Sequence, residues 1–110
     1  MNLKTLPLWM LAASAALAPL PAAADAIDGH WCSQSRPLSL TIEGPTIVTP
    51  GGIRMQGNYD RHYFSYTAPV GDAEAGRDIF MTLVDDETMH LVQGSERARF
   101  EIWKRCGPSA

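Results

Sequence analysis

"GHWCSQS" (residues 29–35) and "EIWKRC" (residues 101–106) sit near opposite ends of the chain, and each holds one Trp and one of its two cysteines. In an oxidising compartment two cysteines form one disulfide by default, and only one intramolecular pairing exists, Cys32 with Cys106. Such a bond places the first and last segments side by side, with Cα atoms about 5 to 6 Å apart. In an all-β chain, that is the geometry produced when a sheet curls round and closes into a barrel.

The residues between the two ends read as β throughout. "PLSLTIEG" (37–44) alternates, with Leu38, Leu40 and Ile42 on one face and Ser39, Thr41 and Glu43 on the other. "PTIVTPGG" (45–52) is a short β-branched run ended by turn chemistry. "IRMQGNY", "HYFSYTAPV", "RDIFMTLV", "TMHLVQ" and "RARFEIWKRC" follow, separated by Gly-rich or acidic turns. No stretch after Ala26 sustains a helical apolar period. The pattern predicts a small antiparallel up-and-down β-barrel of about seven or eight short strands, with a β-sandwich as the alternative.

The start of the chain has a different character. Lys4 and the amino terminus precede an apolar run from Leu6 to Leu20, and small residues follow it. Either Ala22-Ala23-Ala24 or Ala24-Asp25-Ala26 fits a signal-peptidase site. A permanent anchor would want about 20 unbroken apolar residues, whereas Pro7, Pro19 and Pro21 interrupt this run. Residues 1–26 therefore read as a cleaved signal peptide and 27–110 as one small domain, periplasmic or secreted. A lipoprotein is not expected, because Gly29-His30-Trp31 before Cys32 lacks the small and aliphatic residues of such a site. The formal net charge is −3. That gives no basic stripe for nucleic acid and no polybasic reason to sit on a membrane after cleavage.

Gly29-x-Trp31 on the first strand, with Lys104-Arg105 on the last, resembles the calycin arrangement of lipocalin-type barrels. The resemblance implies that the Gly-x-Trp opens the barrel and that a late basic side chain packs across the indole at its closed end. The mature sequence also resembles small single-disulfide proteins exported by bacteria, many of them uncharacterised, and no activity comes with that likeness.

Strand parity leaves a choice in the last segment. Phe100 and Ile102 share one side, and Trp103 and Arg105 share the other. The plainer reading puts Phe100 and Ile102 in the core beside Trp31, Leu38, Leu40 and Ile42. The calycin likeness instead wants Trp103 and Arg105 inside, and a bulge would reconcile the two.

Chemistry-bearing residues are few. Asp60 and His62 lie two apart in "GNYDRHYFSY" (57–66), the spacing of half an acid–base site if both stand on one strand. The plainer reading is an Asn58-Tyr59-Asp60 turn. His30, His62 and His90, with Met55, Met81 and Met89, have the donor types for a soft ion but form no tight motif, so no metal or cofactor is expected. Asp85-Asp86-Glu87 forms an acidic turn suited to a basic partner.

The function these residues suggest is a non-enzymatic, monomeric binding module of the cell envelope. Its partner is an envelope or extracellular protein, met through Asn58, Asp60, Arg61, His62, Asp85, Asp86 and Glu87. The alternatives are a small-ligand or metal carrier of calycin type, and a small hydrolase using His62 and Asp60.

Overall fold

A computed structural model describes residues 26–95 and 99–107. Most of the stretch read as an export signal lies outside the described residues. Among those described, nine strands form one antiparallel sheet: β1 (Gly29–Ser33), β2 (Ser39–Glu43), β3 (Thr46–Val48), β4 (Arg54–Gln56), β5 (Asn58–Asp60), β6 (Tyr63–Thr67), β7 (Asp78–Asp85), β8 (Thr88–Gln93) and β9 (Glu101–Arg105).

The spatial order is β4-β3-β2-β1-β9-β8-β7-β6-β5. Chain neighbours pair, and the last strand pairs with the first. The sheet's two outer members, β4 and β5, are separated in the chain by Gly57 alone. They are halves of one kinked segment, the first paired with β3 and the second with β6. The result is a nearly closed up-and-down barrel, and splitting this segment accounts for the strand beyond the expected eight.

Gly57 is where the kink falls because nothing larger fits. A Cβ there would stand 2.5 Å from Phe64 Cε1 and 2.7 Å from the Ser65 carbonyl oxygen. The Phe64 ring covers the bare backbone, the usual way an aromatic compensates a glycine in a curved sheet.

Alternation fixes which side chains fill the barrel. Trp31 faces Leu40, Ile42 faces Ile47, Phe64 faces Met81, and Met89 faces Trp103 across adjacent strands. All of these belong to one buried cluster, with Leu38, Met55 and Leu83 packed against it. Burying the larger of them contributes about 1.5–3 kcal/mol each.

The parity choice in β9 falls to Trp103, which is 0% exposed, while Phe100 and Ile102 are 51% and 41% exposed. The expectation that Phe100 and Ile102 belong to the core is therefore corrected. The physical reason is register. Trp31 pairs with Arg105 and Met89 with Trp103, and β9 carries no bulge that would turn its other face inward.

The disulfide joins Cys32 and Cys106 with a Cα separation of 5.0 Å across 74 positions of sequence. Because Trp31 points inward, Cys32 lies on the outer wall. The bond staples the β1–β9 seam from outside.

Both ends of the barrel are closed by side chains. At one end the segment before β1 crosses the floor. Ile27 is fully buried, its N–H donates to Arg61 O at 2.7 Å, and its carbonyl accepts Trp31 Nε1–H at 2.8 Å. Arg105 lies over the Trp31 indole, 4.4 Å from the ring centroid. It donates to the carbonyls of Ala26, Asp28 and Asp86. Gly29 has φ +136°, and a Cβ there would meet Arg105 Nη1 at 2.4 Å. At the other end the long β6–β7 loop latches onto the β3–β4 turn. Asp72 Oδ1 accepts from Thr49 Oγ1 (2.7 Å) and from Gly51 N–H (3.1 Å).

Candidate binding surface

A barrel filled from within leaves only its outer wall and its ends for recognition. The outer wall is not uniform. Over β1 and β2 it is polar: His30, Ser39 and Thr41 surround the disulfide. Over β6 to β9 the outward positions include Tyr63, Phe80, Thr82, Val84, His90, Val92, Phe100 and Ile102, flanked by the polar Ser65, Thr67, Asp78, Thr88 and Lys104. Several of these line one depression of about 300 Å³. Val84, Phe100 and Ile102 are 48%, 51% and 41% exposed, and the His90 and Phe100 rings stack with centroids 4.1 Å apart.

This apolar stripe is a consequence of the β9 register. Once Trp103 takes the core position, the alternating neighbours Phe100 and Ile102 must face water. Contiguous apolar surface of this kind on a small domain marks an interaction site more often than single exposed residues do.

The stripe runs into the polar residues expected to form a binding surface. The β5–β6 turn holds Arg61 and His62, and the β7–β8 turn holds Asp86 and Glu87. Both turns lie at the floor end, where Leu83 N–H donates to His62 O. His62, Val84, Asp85 and Asp86 line a second depression of about 270 Å³, which shares Val84 with the first. Asp85, Asp86 and Glu87 are all exposed. The Glu87 backbone N–H donates to Asp85 Oδ1 and holds that carboxyl below its ordinary pKa. Asn58 lies on β5, and its side chain donates to Ser65 Oγ at 3.2 Å.

Two details differ from the sequence reading. Asn58, Tyr59 and Asp60 form β5, and the turn falls one step later, at Arg61 and His62. Asp60 and His62 therefore do not share a strand face. Asp60 Oδ1 accepts the backbone N–H of His62 at 3.1 Å, which is turn chemistry. The methionines weighed as soft donors lie in the core, as strand methionines usually do: Met81 and Met89 are 0% exposed, and Met55 packs against the same cluster.

A charged network at the opposite mouth has no counterpart in the sequence reading. Glu101 accepts from Arg36 Nε and Nη2, Ser33 Oγ, Ser35 Oγ and Trp103 Nε1, all within 2.9 Å. Arg36 also pairs with Glu74 of the β6–β7 loop. Burial works against ionising Glu101, but these donors outweigh it and bring its pKa to about 2. Tyr66 sits beneath, its hydroxyl pushed well above the usual range by burial and then by Asp72 and Glu74. The network joins one guanidinium to two carboxylates and ties three segments together. Arg36 lies 38 positions from Glu74 and 65 from Glu101, and Ser33 lies 68 from Glu101, so no local motif announces the network.

Fold and surface together define a small single-disulfide β-barrel with a packed interior and one apolar outer face. No family model matches the chain, and no curated protein and no solved structure matches it significantly.

Proposed function

We propose that this protein is a non-enzymatic binding module of the cell envelope, exported to the periplasm or beyond, which engages a protein partner through the outer face of β6 to β9. The observation that carries the reading is the exposed stripe of Val84, Phe100 and Ile102 on a barrel whose inward positions are taken by Trp31, Phe64, Met81, Met89 and Trp103. The flanking Asp85, Asp86 and Glu87 favour a partner with an apolar centre and a basic rim, since complementary charge speeds encounter and fixes orientation. Export agrees with the Cys32–Cys106 bond, which persists in oxidising compartments. The stacking of Arg105 on Trp31 beside Gly29 agrees with a calycin-like origin. A resemblance of that kind licenses a fold and no target.

The test is photo-crosslinking in an envelope extract, with the probe at Thr82 in the middle of the stripe. The wild-type barrel is expected to capture a discrete partner. A Phe100→Asp/Ile102→Asp variant should keep its near-UV circular dichroism and lose the capture. Wild-type protein that recovers nothing above background, or a variant that captures equally well, ends the proposal.

A further inference from the structure

The outer wall over the β1–β9 seam carries a feature that the binding reading does not use. His30 and Cys32 are two apart on β1 and point outward together. Cys106 lies directly opposite His30, its N–H donating to the His30 carbonyl at 3.0 Å. One ring nitrogen of His30 and the two sulfurs all lie within 4.8 Å of one another, and no other such His, Cys or carboxylate grouping occurs among the described residues. His30 is exposed and both cysteines are partly so, which leaves the corner open to ions and to a reductant. The His30 ring is already oriented, since Nδ1 is 2.8 Å from Thr41 Oγ1 on the neighbouring strand. In the tautomer whose Nδ1–H donates to that hydroxyl, the free lone pair is on Nε2. This is how metal-binding histidines are usually held.

We propose that two-electron reduction of the Cys32–Cys106 disulfide converts this corner into a binding site for a zinc-class divalent ion, with Cys32 Sγ, Cys106 Sγ and His30 Nε2 as ligands and water in the fourth position. Two thiolates and an imidazole are a ligand set that zinc accepts with one position open. A tetrahedral ion sets such donors about 3.5–3.8 Å apart, so the two sulfurs, bonded to each other in the oxidised protein, separate on reduction to take up this spacing beside His30.

The electrons come from a dithiol reductant, which leaves as its own disulfide while Cys32 and Cys106 become thiols. Binding then sends both thiol protons to solvent and leaves two thiolates and a neutral imidazole on the ion. In the oxidised protein the sulfurs are spent on each other, so the seam is closed either by sulfur or by metal. Sequence spacing hides the site, because the third ligand arrives from the far end of the chain. The inference stands independently of the binding role of β6 to β9.

The experiment reduces the purified chain with a phosphine under argon and titrates it with Co²⁺ alone. The reduced wild type is expected to develop thiolate-to-cobalt charge-transfer absorption and intense four-coordinate visible bands at one ion per chain. Zn²⁺ should displace them, and the oxidised protein should show none. His30→Ala should weaken Co²⁺ binding at least about tenfold, since losing even a partner that orients a ligand costs about 10–100-fold. Near-UV circular dichroism of the tryptophans is followed in parallel. If the reduced chain stays folded and gives no bands, or His30→Ala binds as tightly as wild type, the proposal is overturned. If reduction unfolds the chain, Zn²⁺ must restore the tryptophan signal in the wild type and fail to do so at equal concentration in His30→Ala. Any other pattern overturns it too.

Discussion

Arg105 lies over the indole of Trp31, its guanidinium carbon 4.4 Å from the ring centroid, and the two residues are direct cross-strand partners on β9 and β1. The contact does more than join two strands. Arg105 also donates to carbonyls on the floor segment and on the β7–β8 turn, so one side chain holds the seam, the floor and a neighbouring turn. Gly29 is bare because the guanidinium occupies the space where a Cβ would be. Arg105→Ala is expected to lower stability by about 2–4 kcal/mol, from the lost cation–π contact and charge-assisted hydrogen bonds. Gly29→Ala should cost about 1–3 kcal/mol through backbone strain and the clash. The double variant should lose less than the sum, since Arg105→Ala removes the clash. Urea denaturation of all four proteins measures this, and strict additivity would contradict the contact.

The register of β9 makes a prediction opposite to the plain sequence reading. Phe100→Ser and Ile102→Thr should each change stability by no more than about 0.5–1 kcal/mol, as exposed positions do. Trp103→Ala should cost about 3–5 kcal/mol or prevent folding. Thermal or urea unfolding separates the two registers cleanly. A large loss at Phe100 with a small one at Trp103 would reverse the strand.

That contrast shows where the sequence is legible and where it is not. Leu40 and Ile42 alternate against Ser39, Thr41 and Glu43, so one face of β2 is plainly polar and the core side can be read directly. The two cysteines allow one pairing, so the β1–β9 seam is equally plain. In β9 both faces carry large apolar groups, and periodicity alone has no way to choose between them. The same ambiguity in "RDIFMTLV" is the trace of the outer stripe: Phe80 and Val84 alternate with the buried Ile79 and Met81 because both faces are used. The Arg36, Glu74 and Glu101 network and the Asp72 latch are illegible for another reason. Their partners meet only after the barrel has formed.

Glu101 gives the fold a defined acid limit. Its pKa of about 2 lies below the ordinary value of about 4.3 for a glutamate, so the folded state binds the ionised form preferentially. The stabilisation is therefore complete above about pH 5 and is lost as pH falls towards 2. Glu101→Gln should flatten the stability curve across that interval and cost about 1–3 kcal/mol at neutral pH, because Arg36 loses a charged acceptor. Urea midpoints measured between pH 2 and 7 for both proteins test this. A variant with the wild-type slope would show that another carboxylate sets it.

The floor of the barrel bears on where an exported chain is cut. Two small-x-small sites precede the domain, ending at Ala24 and at Ala26. Cleavage after Ala26 would make Ile27 the new amino terminus. That residue is fully buried, and its N–H already donates to Arg61 O. An ammonium there would carry the cost of burying a charge. The same cut would remove the Ala26 carbonyl that accepts from Arg105 Nη2 at 2.7 Å. Cleavage after Ala24 keeps both interactions. If the protein is exported as proposed, its mature form is expected to begin at Asp25, with Ala26 and Ile27 intact beneath the Trp31 ring. Intact mass and N-terminal sequencing of the exported protein decide this. A mature start at Ile27 with an undiminished unfolding midpoint would mean that the floor contacts of Ala26 contribute nothing to the fold.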